Sequence, residues 1–266
     1  MRPAQARPGA PVIAGVVSCP QPPLLLPGLT GRPVAEVEQL RTACRTAITE
    51  LLGRRPDSVV LIGGLAADEV DRPGEPISLR VGRQLLAEAG CAVPIRPVRI
   101  RAAAPTEECL AIGRQLTAAT EPGQAQPGET QPGETQPGET QPAETQPGET
   151  QAQPGETLAQ LGPRLGLLVM ADGSACRGLK APGYLDPRAA PFDQAIERAL
   201  TGGDPSGLAV LDADLAAELL VAGRAAWQVL AGATERRRFA AQVHYLGDPF
   251  GVWYPVVSWQ PAGLRD

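Results

Sequence analysis

Three short runs, VIAGVVSC (12–19), SVVLIGG (58–64) and LGLLVMADG (165–173), are apolar at nearly every position, and they constrain the fold more than any other feature. A strand with one face in water alternates apolar and polar residues. A run without alternation suits a strand covered on both faces, which is the usual state of a parallel strand in an α/β sheet. The covering helices are readable between the runs. Residues 33–52 carry Val37, Leu40, Ala43, Cys44, Ala47, Ile48 and Leu51 at helical spacing, with Pro33 suited to a first turn. Further helical segments read at 78–89, 105–118, 191–200, 205–211 and 213–230. Residues 93–100 read as a strand whose proline points to a sheet edge or a bulge. Two closing strands, RFAAQVHYL and GVWYPVVSW, flank Gly247, Asp248 and Pro249 as a C-terminal β-hairpin. The expectation is an α/β fold: a single-domain mixed sheet with helices on both faces.

One segment stands outside that pattern. QPGET begins at Gln126, Gln131, Gln136, Gln146 and Gln153, with the variant QPAET at Gln141. A period of five matches neither helix nor strand, and nothing apolar larger than Ala occurs between Glu121 and Thr157. Such a segment cannot bury enough surface to offset its ordering entropy. Residues 121–157 are therefore expected to form a disordered low-complexity insertion, with 1–120 and 158–266 making one domain around it. The insertion holds seven Glu and no Lys or Arg, which outweighs the formal charge of −5 on the whole chain.

The remainder is near neutral and offers no electrostatic footprint for nucleic acid; Arg236, Arg237 and Arg238 form too short a run to change that. Aromatic residues are 3% of the chain, so Leu, Val, Ile and Ala must build the core. The five cysteines (19, 44, 91, 109 and 176) are odd in number and contain no CxxC, which argues against a disulfide framework or a zinc ribbon and for a reducing, cytoplasmic location. No apolar run approaches the ~20 residues of a membrane span, and no membrane partner is expected. Arg2 and Arg7 ahead of VIAGVVSC loosely resemble a lipoprotein signal ending at Cys19, but the apolar part is short and Pro8 and Pro11 interrupt its approach, so the run reads as the first core strand.

Open α/β sheets bind ligands beyond the carboxyl ends of their strands. The segments expected there are CPQPP (19–23), GGLAADE (63–69) and ADGSACRGLKAPGYLDP (171–187). The last brings Asp172, Ser174, Cys176, Arg177, Lys180, Tyr184 and Asp186 into one loop, with glycines at 173, 178 and 183 to allow close backbone approach. Cys176, Asp172 and Lys180 are the candidates for chemistry, because a cation beside a thiol raises its thiolate fraction. Cys19, Gln21, Ser174, Arg177, Tyr184 and Asp186 are the candidate pocket residues. Turn formation and helix capping could account for the same polar density. No G-x-S-x-G elbow, Walker lysine or G-x-G-x-x-G turn is present. His244, the only histidine, lies in AQVHYL and reads as a packed residue, so a two-His-one-carboxylate iron site cannot be assembled within one chain.

The order of these segments resembles the class III extradiol ring-cleavage dioxygenases, in particular the catalytic beta subunit of protocatechuate 4,5-dioxygenase and a bacterial branch of that superfamily. The carriers are CPQPPLLLPGL (19–29), similar to the family's Pro-His-Pro-Pro loop; SVVLIGG (58–64); VMADGSAC (169–176), similar to a segment ending in Leu-Ser-His; FDQAIERALTGGD (192–204); WQVLAGA (227–233); and GVWYPVVSW (251–259). The resemblance implies Fe(II) held by two His and a Glu, a catechol-type aromatic substrate, a further acid–base His, and dimerisation. Gln21 stands where it implies the first iron ligand, Leu65 and Ala66 where it implies the second, and Cys176 near the acid–base His. Glu218 is the nearest acidic candidate for the remaining ligand. A carboxamide is a poor iron ligand, since its oxygen carries no full charge and its nitrogen no free lone pair.

Three functional expectations follow from these substitutions. The first is a dioxygenase-like protein with a degenerate metal site, no cofactor and a pocket for an unknown small molecule. The second is an altered enzyme using Cys176 with Lys180 or Asp172. The third is a ring-cleaving dioxygenase with substituted iron ligands.

Overall fold

The computed structural model of the protein describes residues 11–29, 34–66, 74–118, 162–235 and 237–262. The repeat insertion at 121–157, Pro33 and the end of GGLAADE lie outside the described residues.

Each of the three apolar runs becomes a strand: β1 (Val12–Cys19), β2 (Ser58–Leu65) and β4 (Arg164–Met170). With β3 (Ile95–Arg101), β5 (Phe239–Gly247) and β6 (Tyr254–Pro261) they form a six-stranded sheet in the order β3-β2-β4-β1-β6-β5. β1, β2, β3 and β4 run parallel, and β6 is antiparallel to both β1 and β5. The mixed α/β sheet and its closing hairpin are those the sequence predicts. Pro97 sits in β3, an edge strand, where a missing N–H leaves no ladder bond unmade.

The lack of alternation has a direct structural cause. Neighbouring residues of β2 and β4 point to opposite faces, and both faces are covered. On one face Leu61, Leu168 and Met170 pack with Leu40 and Ile48 of α1 (Ala35–Gly53) and Leu79 and Leu85 of α2 (Ile77–Glu88). On the other, Val60, Ile62, Leu167 and Val169 pack with α3 (Thr106–Thr117), α4 (Ala189–Thr201) and α7 (Arg224–Thr234). Burial of each such Leu, Ile or Val stabilises the fold by about 1.5–3 kcal/mol before the entropy cost of ordering. All residues of α7 are buried, with Trp227 Nε1 donating to Ser18 Oγ at 3.0 Å. Glycines set how closely this helix approaches α3: a Cβ on Gly113 would meet Val229 O and, at 2.6 Å, Ala233 N, while one on Gly232 would meet Leu110 O.

The segment at 213–230, expected as one helix, is two. α6 (Ala213–Glu218) stops, Leu220 turns left-handed at φ 54°, and α7 starts at Arg224. The break lets Gly223 pass beside the end of β4, where its N–H donates to Asp172 O at 2.9 Å. Both helices bury apolar residues against the same core, so the periodicity runs through the break. A third helix of this region, α5 (Pro205–Ala209), is capped by Asp204, which accepts from Ser206 N–H at 3.0 Å. Among the described residues, no helix is long and apolar enough to cross a membrane.

Candidate functional site

β4 enters the sheet between β2 and β1, so the loops leaving β1 and β4 rise side by side at the carboxyl end of the parallel strands. Their pairing continues past the ladder. Ala171 N–H donates to Cys19 O at 2.8 Å, and Gln21 N–H then donates to Asp172 Oδ1 at 2.8 Å. The Asp172 backbone is held by Gly223, and the next residue by Gly173 N–H donating to Trp253 O at 2.8 Å. Because β6 is antiparallel, its first residue, Tyr254, reaches the same rim. Two sequence candidates, Gln21 and Asp172, are thus brought together across 151 residues of chain, with Tyr254 as a third member that sequence reasoning did not select.

This rim is electrostatically unusual. Burial pushes the Asp172 carboxyl up to about 7, against the lowering effect of the Gln21 N–H. The Tyr254 phenol is pushed up by burial and, next, by the Asp172 charge. Gln21 is 7% exposed, yet its Oε1 has no hydrogen-bond partner among the described residues. An orphaned buried acceptor costs roughly 1–3 kcal/mol and calls for an explanation.

The other candidates have different roles. Cys19 is fully buried in the α1–α2 core beside Cys44, and burial pushes its thiol up; it faces the core, not the rim. Ser174 is fully buried, donating Oγ to Asp193 Oδ2 at 2.5 Å and N–H to Asp193 Oδ1 at 2.9 Å. Asp193, buried on α4, was missed as a site residue although it lies in the Phe-Asp pair of FDQAIERALTGGD. Burial pushes its carboxyl up, while the Ser174 bonds and Arg177 oppose the shift. Arg177 lies 3.0 Å from Asp248 Oδ2 and 3.8 Å from Asp193 Oδ2, which fixes the loop instead of leaving a free guanidinium. Asp186 accepts from Arg188 at 2.7 Å, and Arg188 donates to Glu218 Oε2 at 2.6 Å. Tyr184, at φ 62°, is 62% exposed on the surface.

Cys176 requires a correction. Its side chain is buried, with Sγ 3.4 Å from Leu219 O. Burial, then the charges of Asp186 and Asp193, push the thiol up, and only Arg188 opposes them. Lys180 is exposed and has no part in that balance. The expected activation by Lys180 or Arg177 is therefore absent, and the group is held as a thiol. Iodoacetamide at pH 7.5 should label the partly exposed Cys91 first and leave Cys176 unmodified until denaturant is added, as read by peptide mass spectrometry. Selective labelling of Cys176 in the folded protein would contradict this environment.

The Fe(II) implied by the family resemblance does not match these donors. Gln21 offers an uncharged carboxamide, and Leu65 and Ala66 at the end of β2 carry no ligating side chain. Cys176 is held protonated, and the Glu218 carboxylate, 58% exposed, is paired with Arg188. Non-haem Fe(II) sites are built from imidazole and carboxylate.

His244 lies elsewhere, at the β-bulge of β5 between Val243 and Tyr245. Its Nε2 is 2.8 Å from Ser258 Oγ and 3.7 Å from Glu50 Oε2. A Ser–His–acid relay needs the hydroxyl and the acid on different ring nitrogens, so this arrangement is not one. Burial pushes the imidazole down, with Glu50 opposing, which fits the packed residue expected.

No protein-family model matches the chain. No curated protein matches it either. Among solved structures it is similar to an uncharacterized protein from Escherichia coli K12, with 13% identity and a TM-score of 0.44, covering 92% of this chain and 99% of that one.

Proposed function

We propose that the protein is a class III extradiol dioxygenase-like α/β protein that binds a small molecule, without iron, at the strand-end rim of Gln21, Asp172 and Tyr254. The observation that carries this reading is the buried, unpartnered Oε1 of Gln21, a residue whose backbone N–H bonds the enclosed Asp172 carboxyl. Both are costly to folding, and such costs concentrate where a ligand repays them. The rim also lies at the carboxyl ends of two adjacent parallel strands, where sheets of this kind take ligands.

The test has two arms. Anaerobic Fe(II) titration by calorimetry, followed by metal analysis after desalting, should give iron far below one equivalent. A metabolite screen by thermal shift should yield stabilising compounds whose effect is lost in Gln21→Leu. Stoichiometric, retained iron would sink the reading, as would stabilisation that Gln21→Leu leaves intact.

One observation favours a second reading, in which Asp172 transfers a proton in an altered enzyme. A carboxyl titrating at about 7 can both accept and give a proton at neutral pH. In that case Asp172→Asn would abolish turnover of a substrate while sparing its binding. In the version with Cys176 as nucleophile, burial and the charges of Asp186 and Asp193 outweigh the one cation, Arg188, that favours the thiolate.

A further inference from the structure

The two edges of the sheet are built differently. β3, at one edge, carries Pro97 with Arg96, Arg99 and Arg101, and a missing N–H and a row of charges are usual means by which an edge strand resists pairing with another chain. β5, at the other edge, is nine residues long, the longest strand of the sheet, and its FAAQVHYLG holds no Asp, Glu, Lys, Arg or Pro. Val243 stands 46% exposed on it, and among the described residues β5 pairs with β6 alone. The ladder to β6 fixes which backbone groups are left over. Ala262 N–H donates to Arg238 O at 2.9 Å, and the register runs without a shift from Phe239 to Val243. Ladder bonds of an antiparallel pair fall on alternate residues, so Ala240 and Gln242 bond β6 while Ala241 and Val243 turn their N–H and C=O groups to the open side. At the start of this edge Gly203 approaches Phe239 O so closely that a Cβ would strike it, and the bulge at His244 ends the regular part. The open stretch is therefore residues 240–243, with Arg238 and Asp248 outside it.

We propose that this open side is a homodimer interface, at which β5 pairs antiparallel with β5 of a second copy of the chain about a two-fold axis at Gln242. In that register Ala241 stands opposite Val243 of the second copy and Val243 opposite its Ala241, and each pair exchanges two N–H···O bonds. The strand matches itself: the groups turned outward on one copy meet those turned outward on the other. Ala241 and Val243 share one face of the strand, so the exposed Val243 is covered by apolar side chains of the second copy. Like charges directly opposite each other destabilise a strand pair, and an uncharged stretch meets none in its own copy. The guarded β3 edge decides against the other pairing open to identical chains. β5 against β3 of the next copy would meet Pro97 and three arginines, and it would build an open polymer instead of a closed dimer. A short ladder and a small apolar contact make a weak association at the low end of specific interfaces. The pairing is independent of the rim at Gln21 and Asp172, so failure of one leaves the other standing.

Sedimentation equilibrium of the full-length protein, from about 1 to about 200 µM, reads the association directly. The mass should rise from one chain toward two, with a dissociation constant on the order of 10–100 µM. Val243→Lys, at an exposed position, should weaken the dimer by about tenfold or more and leave the melting temperature within a few degrees of wild type. Arg99→Ala, exposed on the β3 edge, should leave the dimer unchanged. Gln242→Cys combined with Cys91→Ser tests the register, and decides alone should Val243→Lys fail to fold. The two-fold sets residue 242 against itself in a non-hydrogen-bonded pair with Cα atoms about 4.5 Å apart, within the roughly 4.4–6.8 Å of a disulfide. Diamide takes up the two thiol hydrogens as the S–S bond forms, and mass spectrometry should then find a 242–242 linked peptide. A chain that stays monomeric throughout the range, a mass that climbs past two chains, a dimer indifferent to Val243→Lys, or oxidation without the 242–242 peptide would each overturn the pairing.

Discussion

Replacing Gly113 by valine should lower the melting temperature by about 10 °C or more, a loss of roughly 3–5 kcal/mol for a domain of this size. α3 and α7 touch backbone to backbone at this point. A side chain on Gly113 would meet Val229 O, Ala233 N at 2.6 Å and the Gly232 carbonyl carbon at 2.9 Å, and these atoms cannot swing away as a side-chain tip could. Relief requires the helices to separate, which opens the core around Trp227 and strands its bond to Ser18. Total stabilities of folded domains are about 5–15 kcal/mol, so the variant would keep only a fraction of its margin. Gly53, at the end of α1, has nothing within 4 Å of where a Cβ would sit and serves as the control. Gly53→Ala should unfold within a few degrees of wild type in the same thermal scan by circular dichroism. Equal melting temperatures for Gly113→Val and Gly53→Ala would refute the close approach of the two helices.

The second large effect has the opposite sign. Asp172→Asn should stabilise the protein at pH 8 by roughly 3 kcal/mol relative to its effect at pH 4. The carboxyl moves from an ordinary value of 3.8 to about 7 in the fold, so the native state holds a proton that the unfolded chain has released across that interval. Stability from this group is complete below about 4 and is lost as pH rises through about 7. A shift of about three units corresponds to roughly 4 kcal/mol, reduced here because the residue keeps some solvent contact. Asparagine keeps an oxygen for the Gln21 N–H and carries no charge, so its variant should show a flatter profile between pH 4 and 8. Urea unfolding at the two pH values measures the difference, and a variant no more stable than wild type at pH 8 would count against an enclosed carboxyl.

The sheet was legible because its signals are local. Continuous apolar runs gave three strands their place in a covered parallel sheet, Pro97 pointed to an edge, and a Gly-Asp-Pro turn between two strand-like segments gave the hairpin. The α6–α7 break was not legible, since Leu220 is no glycine and the apolar spacing carries across it. The site was legible only in part. Gln21 and Asp172 stand out at strand ends, but their contact depends on β4 inserting next to β1, a choice made by packing between distant parts of the chain. Tyr254 reads as an ordinary strand residue until the antiparallel direction of β6 brings its start to the rim. Cys176 was misjudged for the same reason: nearby basic residues suggest an activated thiol, yet Arg177 turns to Asp193 and Asp248, and burial dominates.

The most direct single test is a pH titration of the Asp172 carboxyl by ¹³C NMR, its resonance identified by its disappearance in Asp172→Asn. A midpoint near 7 is expected from its enclosure beside Gln21 and Tyr254. A midpoint near 4, the value of a solvated aspartate, would contradict it and remove the physical basis for a binding site at the carboxyl ends of β1 and β4.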